Sequence, residues 1–351
     1  MKTWLPAVLC VVFLISAADA ERNLCYAENG SSDVFYAEQN PEKYTYEDMQ
    51  SDIAALQKKY DPYFSVHSLG KTADGRELYD LVIGNEEAER KIFINAGIHA
   101  REYITCQLVM KQAASFLEHA AEGDHYECRV GEKTNDQEKF SSETVSYREM
   151  WEKCQIHVMP MVNPDGTAIS QNGLDGIQTE EMRTKIIGIA SLDGQQAEGE
   201  YLINWKSNGC GIDLNRNFDA LWDSYEDPVG HPSSAYYKGP YPGSEKESAA
   251  MIALTEEQRF DRTISYHAQG GVIYWYFGQE GTLYEDTKKL GDRIAAITGY
   301  TLDADYQSLD PAGYKDWAIS KEGIPSLTIE IGRDTVPVPE EQLDEIWEQN
   351  K

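Results

Sequence analysis

Lys91-Ile92-Phe93-Ile94-Asn95-Ala96-Gly97-Ile98-His99-Ala100-Arg101-Glu102 is the stretch that decides the fold. Lys91 to Ala96 is a compact apolar strand, and Gly97 to Ala100 is a loop. Tyr103 to His119 is then a helix, because Ile104, Leu108, Met110, Phe116 and Leu117 cover one broad face. A strand that ends in a loop before a helix lets His99 and Glu102, three residues apart, point into one crevice at the carboxyl edge of a sheet.

The same alternation continues in both directions. Tyr46 to Tyr60 reads as a helix, with Met49, Ile53 and Leu56 at three- and four-residue steps. Phe64 to Leu69 and Leu78 to Gly84 are strands joined at Asp74-Gly75, a dipeptide that supplies the positive φ of a tight turn. Ile156 to Val162 is a strand ended by the turn signal Asn163-Pro164-Asp165-Gly166. Between them, His119 to Ser146 is charged and reads as a surface insertion. Glu180 to Ile189 is a helical piece, and a strand is expected near Gly211 to Leu214. Ser244, with Glu247 three residues on, reads as a capping box. Thr263 to Tyr266, Val272 to Phe277 and Ser326 to Ile331 are strands, Thr282 to Thr298 is a helix, and the tail from Glu340 is helical. Strands alternating with helices predict one α/β/α domain: a mixed, mostly parallel twisted sheet with helices on both faces, antiparallel near its start.

Composition bounds the partners. The 351 residues carry 60 acidic and 31 basic side chains, a formal charge of -29. Such a surface repels phosphate backbones and anionic lipid, so neither nucleic acid nor a membrane surface is an expected partner. Lys2, the apolar run Leu5 to Ile15 and Ala18-Asp19-Ala20 read as an export signal over 1–20, so a secreted protein is expected. The alternative is an uncleaved N-terminal anchor. No other segment approaches the ~20 apolar residues of a membrane span. Residues 21–43 read as a linker and 44–351 as the catalytic domain, expected to be a monomer. Cys25, Cys106, Cys128, Cys154 and Cys210 follow the signal, an odd number. Cys128 and Cys154 bracket the polar insertion and are the best candidate pair; the alternative is that all five are reduced.

Zinc takes imidazole nitrogen and carboxylate oxygen at ~2.0–2.2 Å and, in catalytic sites, leaves one position open. A His and a Glu three apart arise often by chance, so context must carry the reading. That context is Asn95-Ala96-Gly97-Ile98-His99-Ala100-Arg101-Glu102, then Val162-Asn163-Pro164-Asp165-Gly166, then Asp213-Leu214-Asn215-Arg216-Asn217-Phe218. Ser265-Tyr266-His267 and Thr328-Ile329-Glu330-Ile331-Gly332 complete it.

Five phrases in this order resemble the zinc carboxypeptidases related to carboxypeptidase A, from about Tyr44 to the C-terminus. The resemblance implies one zinc ion on His99, Glu102 and His267, with Glu330 as the general base. It implies that Asn215 and Arg216 grip a substrate carboxylate, since the Arg fork binds carboxylates with two bonds. Arg101 falls where the family keeps a further cation near the substrate, although a structural ion pair would serve it as well. Tyr306 matches a mobile tyrosine that closes over substrate.

Two positions depart from the digestive members. Lys206, in Trp205-Lys206-Ser207-Asn208, stands where an arginine stabilises the oxyanion. Lys315, in Gly313-Tyr314-Lys315-Asp316-Trp317, stands where the residue lining the side-chain pocket is found. A lysine there would pair with a negative group; the alternative is a side chain turned outward. These departures look more like the bacterial branch that cuts γ-D-glutamyl-diaminopimelate bonds in cell-wall peptides. The expected substrate is therefore a muropeptide, or else an ordinary peptide with an acidic C-terminal residue. A zinc-binding module that only recognises peptides is the non-enzymatic alternative. About two dozen residues separate the signal from Tyr44, too few for an inhibitory prodomain, so export in active form is expected.

Overall fold

A computed structural model describes residues 35–39, 42–61, 63–134, 137–304 and 311–351, with the backbone alone over 128–143. The signal, Cys25 and Tyr306 lie outside the described residues.

The first helix, α1 (Tyr46–Tyr60), begins where the sequence provides a full capping box. Thr45 Oγ1 accepts from the Asp48 N–H, and the Asp48 carboxylate accepts from the Thr45 N–H. Such a cap contributes about 1 kcal/mol. Its buried stripe is Met49, Ile53, Leu56 and Tyr60. The expected linker ends in anchored chain: Asp52 accepts from the N–H groups of Tyr36 and Ala37, and Ala37 is buried.

Strands β1 (Phe64–Lys71) and β2 (Glu77–Ile83) form the antiparallel hairpin, followed by β3 (Arg90–Ala96) and α2 (Ile104–Glu122). The insertion is itself a two-stranded hairpin, β4 (His125–Thr134) with β5 (Gln137–Ser146), leading through α3 (Tyr147–Lys153) to β6 (Cys154–Met159). Asn163-Pro164 starts a helix rather than a turn. Pro164 is its first residue and Asn163 Oδ1 accepts from the Gly166 N–H, which opens α4 (Pro164–Asn172). Proline lacks the N–H that a first helical turn leaves unpaired, so the same residues suit both structures.

After α5 (Glu180–Leu192) and α6 (Gly199–Ile203), the strand expected near Gly211 is a loop ending in a short 3-10 turn at Leu214–Arg216. The helix α7 (Lys246–Gln258) starts one residue later than a Ser244 cap requires, and Glu245 occupies the N-cap without a side-chain bond. Ser244 instead donates to Glu245 Oε1. The remaining elements are β7 (Arg262–Ala268), β8 (Val272–Tyr274), α8 (Gly281–Thr298), β9 (Thr301–Asp303), α9 (Tyr314–Ser320), β10 (Ser326–Ile331) and α10 (Leu343–Asn350).

The described strands other than β4 and β5 form one sheet in the order β1-β2-β6-β3-β7-β10-β8-β9. Its centre, β6-β3-β7-β10, is parallel, as expected. Side chains alternate across it. Ile92 and Ile94 meet the core under α1, α2, α8 and α10, while Phe93 meets Phe218, Met251, Tyr314 and Trp317 under α7 and α9. Cys154 is a free, buried thiol, so the expected bond to Cys128 is not formed.

Candidate metal centre and substrate cleft

The four central strands are parallel, so their carboxyl ends open on one edge. The loop after β3 carries His99 and leads to Glu102. Gly97 makes that exit possible: its φ is 65°, and a Cβ there would lie 2.4 Å from Cys106 Sγ. Thr105 Oγ1 fixes the loop by accepting from the Gly97 N–H at 3.0 Å and donating to the Glu102 carbonyl at 2.7 Å. His267 comes from β7, and Glu330 is its register partner on β10.

Three groups converge there. Glu102 Oε1 is 2.7 Å from His99 Nδ1, Glu102 Oε2 is 3.1 Å from His267 Nδ1, and the two Nδ1 atoms are 3.2 Å apart. All three residues are buried. Two ring nitrogens this close, both against one carboxylate, form a donor set that a divalent cation fits. Burial pushes the His99 imidazole down, and Glu102 and Asp213 only partly offset this, which favours the neutral ring a metal requires. Burial alone would raise the Glu102 carboxyl, but His99 and His267 outweigh it and hold it low.

Asp213 was named in the sequence only as part of a phrase, yet it organises the cleft. Its Oδ1 lies 3.3 Å from His99 Nε2, on the far side of the ring from the donor atom. Its Oδ2 accepts from Lys206 Nζ at 2.7 Å and from the Tyr236 N–H at 3.3 Å. Burial would raise this carboxyl; Lys206 and His99 overcome that and hold it well below the usual range. A carboxylate behind a ligating histidine fixes ring orientation and raises ligand basicity. The signal in the sequence was an aspartate opening Asp213-Leu214-Asn215-Arg216.

The other expected residues distribute as follows. Lys206 is buried, and its loop is tied to the His99 loop by the Ala100 N–H donating to the Lys206 carbonyl. Asn163 Nδ2 reinforces the join by donating to the carbonyls of Ile98 and Ser207. Glu330 is half-buried, and its carboxyl is pushed up to about 7 by loss of surrounding water, against the pull of His267. Arg216 donates to the Asn215 carbonyl and lies over the Tyr225 ring. Asn215 Oδ1 accepts from the Tyr314 N–H, which ties the start of α9, where Lys315 stands, to the turn that carries Asp213 and Arg216. Lys315 is buried rather than turned outward. Its Nζ is 2.6 Å from Asp316 Oδ1 and donates to the Tyr276 carbonyl at 3.3 Å. Arg101 is half-buried and donates to the Asn204 carbonyl at 3.3 Å. A separate apolar pocket of about 110 Å³, lined among others by Phe116, Tyr266, Ile294 and Trp347, contains none of these residues.

A buried His-Glu-His set at the carboxyl edge of a mixed sheet is the kind of site that metallohydrolases build. The chain belongs to the zinc carboxypeptidase family, whose profile matches residues 49–351, and it is a zinc metallopeptidase. It is 29% identical over 310 residues to γ-D-glutamyl-L-diamino acid endopeptidase 1 of Lysinibacillus sphaericus, covering 88% of this chain and 70% of that protein. It is 26% identical over 309 residues to carboxypeptidase B of Astacus astacus, covering 83% of this chain and 86% of that protein. Among solved structures, bovine thrombin-activatable fibrinolysis inhibitor, in complex with tick carboxypeptidase inhibitor, superposes with a TM-score of 0.64 at 19% identity, covering 90% of this chain and 94% of that one. Carboxypeptidase A from Helicoverpa armigera gives 0.61, also at 19% identity, over 88% of this chain and 71% of that one. Among the described residues, no helix is long and apolar enough to cross a membrane.

Proposed function

We propose that this zinc peptidase is exported and hydrolyses the peptide bond next to a substrate C-terminus, releasing a residue whose side chain bears a carboxylate. Diaminopimelate in bacterial cell-wall peptides is such a residue. Lys315 carries the substrate part of this reading. It is a buried ammonium one residue from Tyr314, whose N–H is held by Asn215, so it lies where the leaving residue's side chain would go. The 29% identity to a protein named for γ-D-glutamyl-L-diamino acid bonds supports the same substrate class.

His99 Nδ1, Glu102 and His267 Nδ1 would hold the zinc, which when bound supplies Lewis acidity toward water and the scissile carbonyl. Glu330 takes the proton that water loses on attack and delivers it to the departing amine. Its raised carboxyl suits a group that must both accept and return a proton. Lys206 lends positive charge to the carbonyl oxygen as negative charge develops. Asn215 and Arg216 receive the terminal carboxylate, and Arg101 assists binding farther along the substrate.

The test is mass spectrometry of products from a mixed panel. It contains peptides with apolar, basic and acidic C-termini, plus muropeptides with a γ-D-glutamyl-diaminopimelate bond. Preferential cleavage of the muropeptide is expected, with the acidic C-terminus next. Preferential release of basic residues would sink the Lys315 reading.

A further inference from the structure

The geometry points to Tyr236 as a specificity-determining residue: its ring forms the wall against which the group on the acyl side of the scissile bond must lie. This rests on the assignment of Lys206 to the carbonyl oxygen.

Three observations carry it. The Tyr236 ring lies over Lys206 Nζ, 4.9 Å from Nζ to centroid. Lys206 is 6% exposed whereas Tyr236 is 44% exposed, so the ring presents an open aromatic surface immediately beside a covered ammonium. The backbone that aims the ring is fixed from both sides. The N–H groups of Lys206 and Ser207 both donate to the Ser234 carbonyl, and the Asp213 N–H donates to the Tyr237 carbonyl. The Tyr236 N–H donates to the same Asp213 oxygen that holds Lys206. Tyr236 is held at φ 70°, in the left-handed region, which is uncommon for an aromatic residue and disfavoured without such anchoring. A core role does not account for the ring, since a large part of it faces solvent.

A carbonyl oxygen close enough to hydrogen-bond Lys206 Nζ brings the acyl-side substituent to this ring. A flat or apolar side chain covers the exposed face. Glycine leaves it bare, and a lysine meets the like charge of Lys206.

The test uses two peptides that share whichever C-terminal residue the enzyme releases best and differ only in the penultimate residue, Phe or Gly. The wild type is expected to favour Phe by about 5- to 10-fold in kcat/KM, the scale of an aromatic contact. Tyr236→Gly removes the ring at a position whose φ suits glycine, so the variant should fold. It is expected to bring the Phe/Gly ratio near unity while leaving the preference for the C-terminal residue unchanged; Tyr236→Phe is expected to keep the wild-type ratio. An unchanged ratio in Tyr236→Gly overturns the proposal, as does an equal loss on both peptides. Lys206→Met is measured beside them: if it retains full turnover, the carbonyl-oxygen assignment fails on its own account, separately from the ratio that reads Tyr236.

Discussion

Glu330 and His267 are direct register partners on adjacent parallel strands, β10 and β7. One strand pairing thus sets the distance between a metal donor and the group proposed to move the proton, without any loop. Substitution at one should leave the other in place. Glu330→Gln is expected to bind zinc stoichiometrically by metal analysis while turnover falls by roughly 10²–10⁴-fold, the range for loss of a general acid-base group. A variant with most of its activity would remove Glu330 from that role.

Asp213 contacts His99 and Lys206, and its proposed role runs through them rather than on substrate. Asp213→Asn should weaken zinc binding by about 10–100-fold, as changes behind metal ligands commonly do. Competition with a chromogenic chelator reads this without any activity assay. Unchanged zinc affinity would reduce Asp213 to a structural anchor for the Lys206 loop.

Chelation should abolish turnover, and added zinc should restore it. The apo protein should also melt at a lower temperature, because a ligand bound only by the folded state stabilises that state by mass action. Full activity after exhaustive chelation would contradict the role of the three donors.

Lys315 is already paired with Asp316, at 2.6 Å and with both side chains more than nine-tenths buried. Removing the lysine alone would strand that carboxylate, at a cost of about 3–5 kcal/mol. The informative variant is therefore Lys315→Met with Asp316→Asn. It should lose the preference for carboxylate-bearing leaving residues and still cleave a peptide with an apolar C-terminus. An acidic preference that survived both changes would place its origin elsewhere in the cleft.

Glu247 offers a prediction on stability. It is buried on α7, its Oε1 has no hydrogen-bond partner among the described residues, and Asn208 Nδ2 approaches its Oε2 only at 3.4 Å. Burial, with Asp165 adding to it, pushes its carboxyl up to about 8. The unfolded chain releases this proton near the ordinary glutamate value of about 4.3, so between there and about 8 the native state binds more protons and stability falls as pH rises. The contribution is at most about 1.4 kcal/mol per pH unit. Glu247→Gln should flatten that decline in urea midpoints measured across the window. An identical pH profile for both proteins would refute the assignment.

The sheet was legible because its strands are short apolar runs broken by glycine and polar turns, and β3, β7 and β10 lie close to where the residues place them. What escaped depends on contacts distant in sequence. Asn163-Pro164 reads equally as a turn and as a helix start, and only the packing that follows decides. Gly211 to Leu214 has strand-like residues but pairs with no strand among the described residues; the N–H groups of Gly211 and Ile212 donate to Asn208 and that of Asp213 to the Tyr237 carbonyl. The candidate donor set His99, Glu102 and His267 was readable from five ordered phrases. Asp213 was not, since its role requires His99, Lys206 and Tyr236 to approach from three separate segments.

The donors at positions 99, 102 and 267 are brought together by the pairing of β3 with β7, which joins chain segments more than 160 residues apart by the Ala96–Tyr266 register. A chain truncated before β7 keeps His99 and Glu102 with their loop, but only two arms of the chelate. Tight zinc uptake therefore reports that the centre of the sheet has closed, and a nascent or nicked chain that has not closed it should leave the ion in solution.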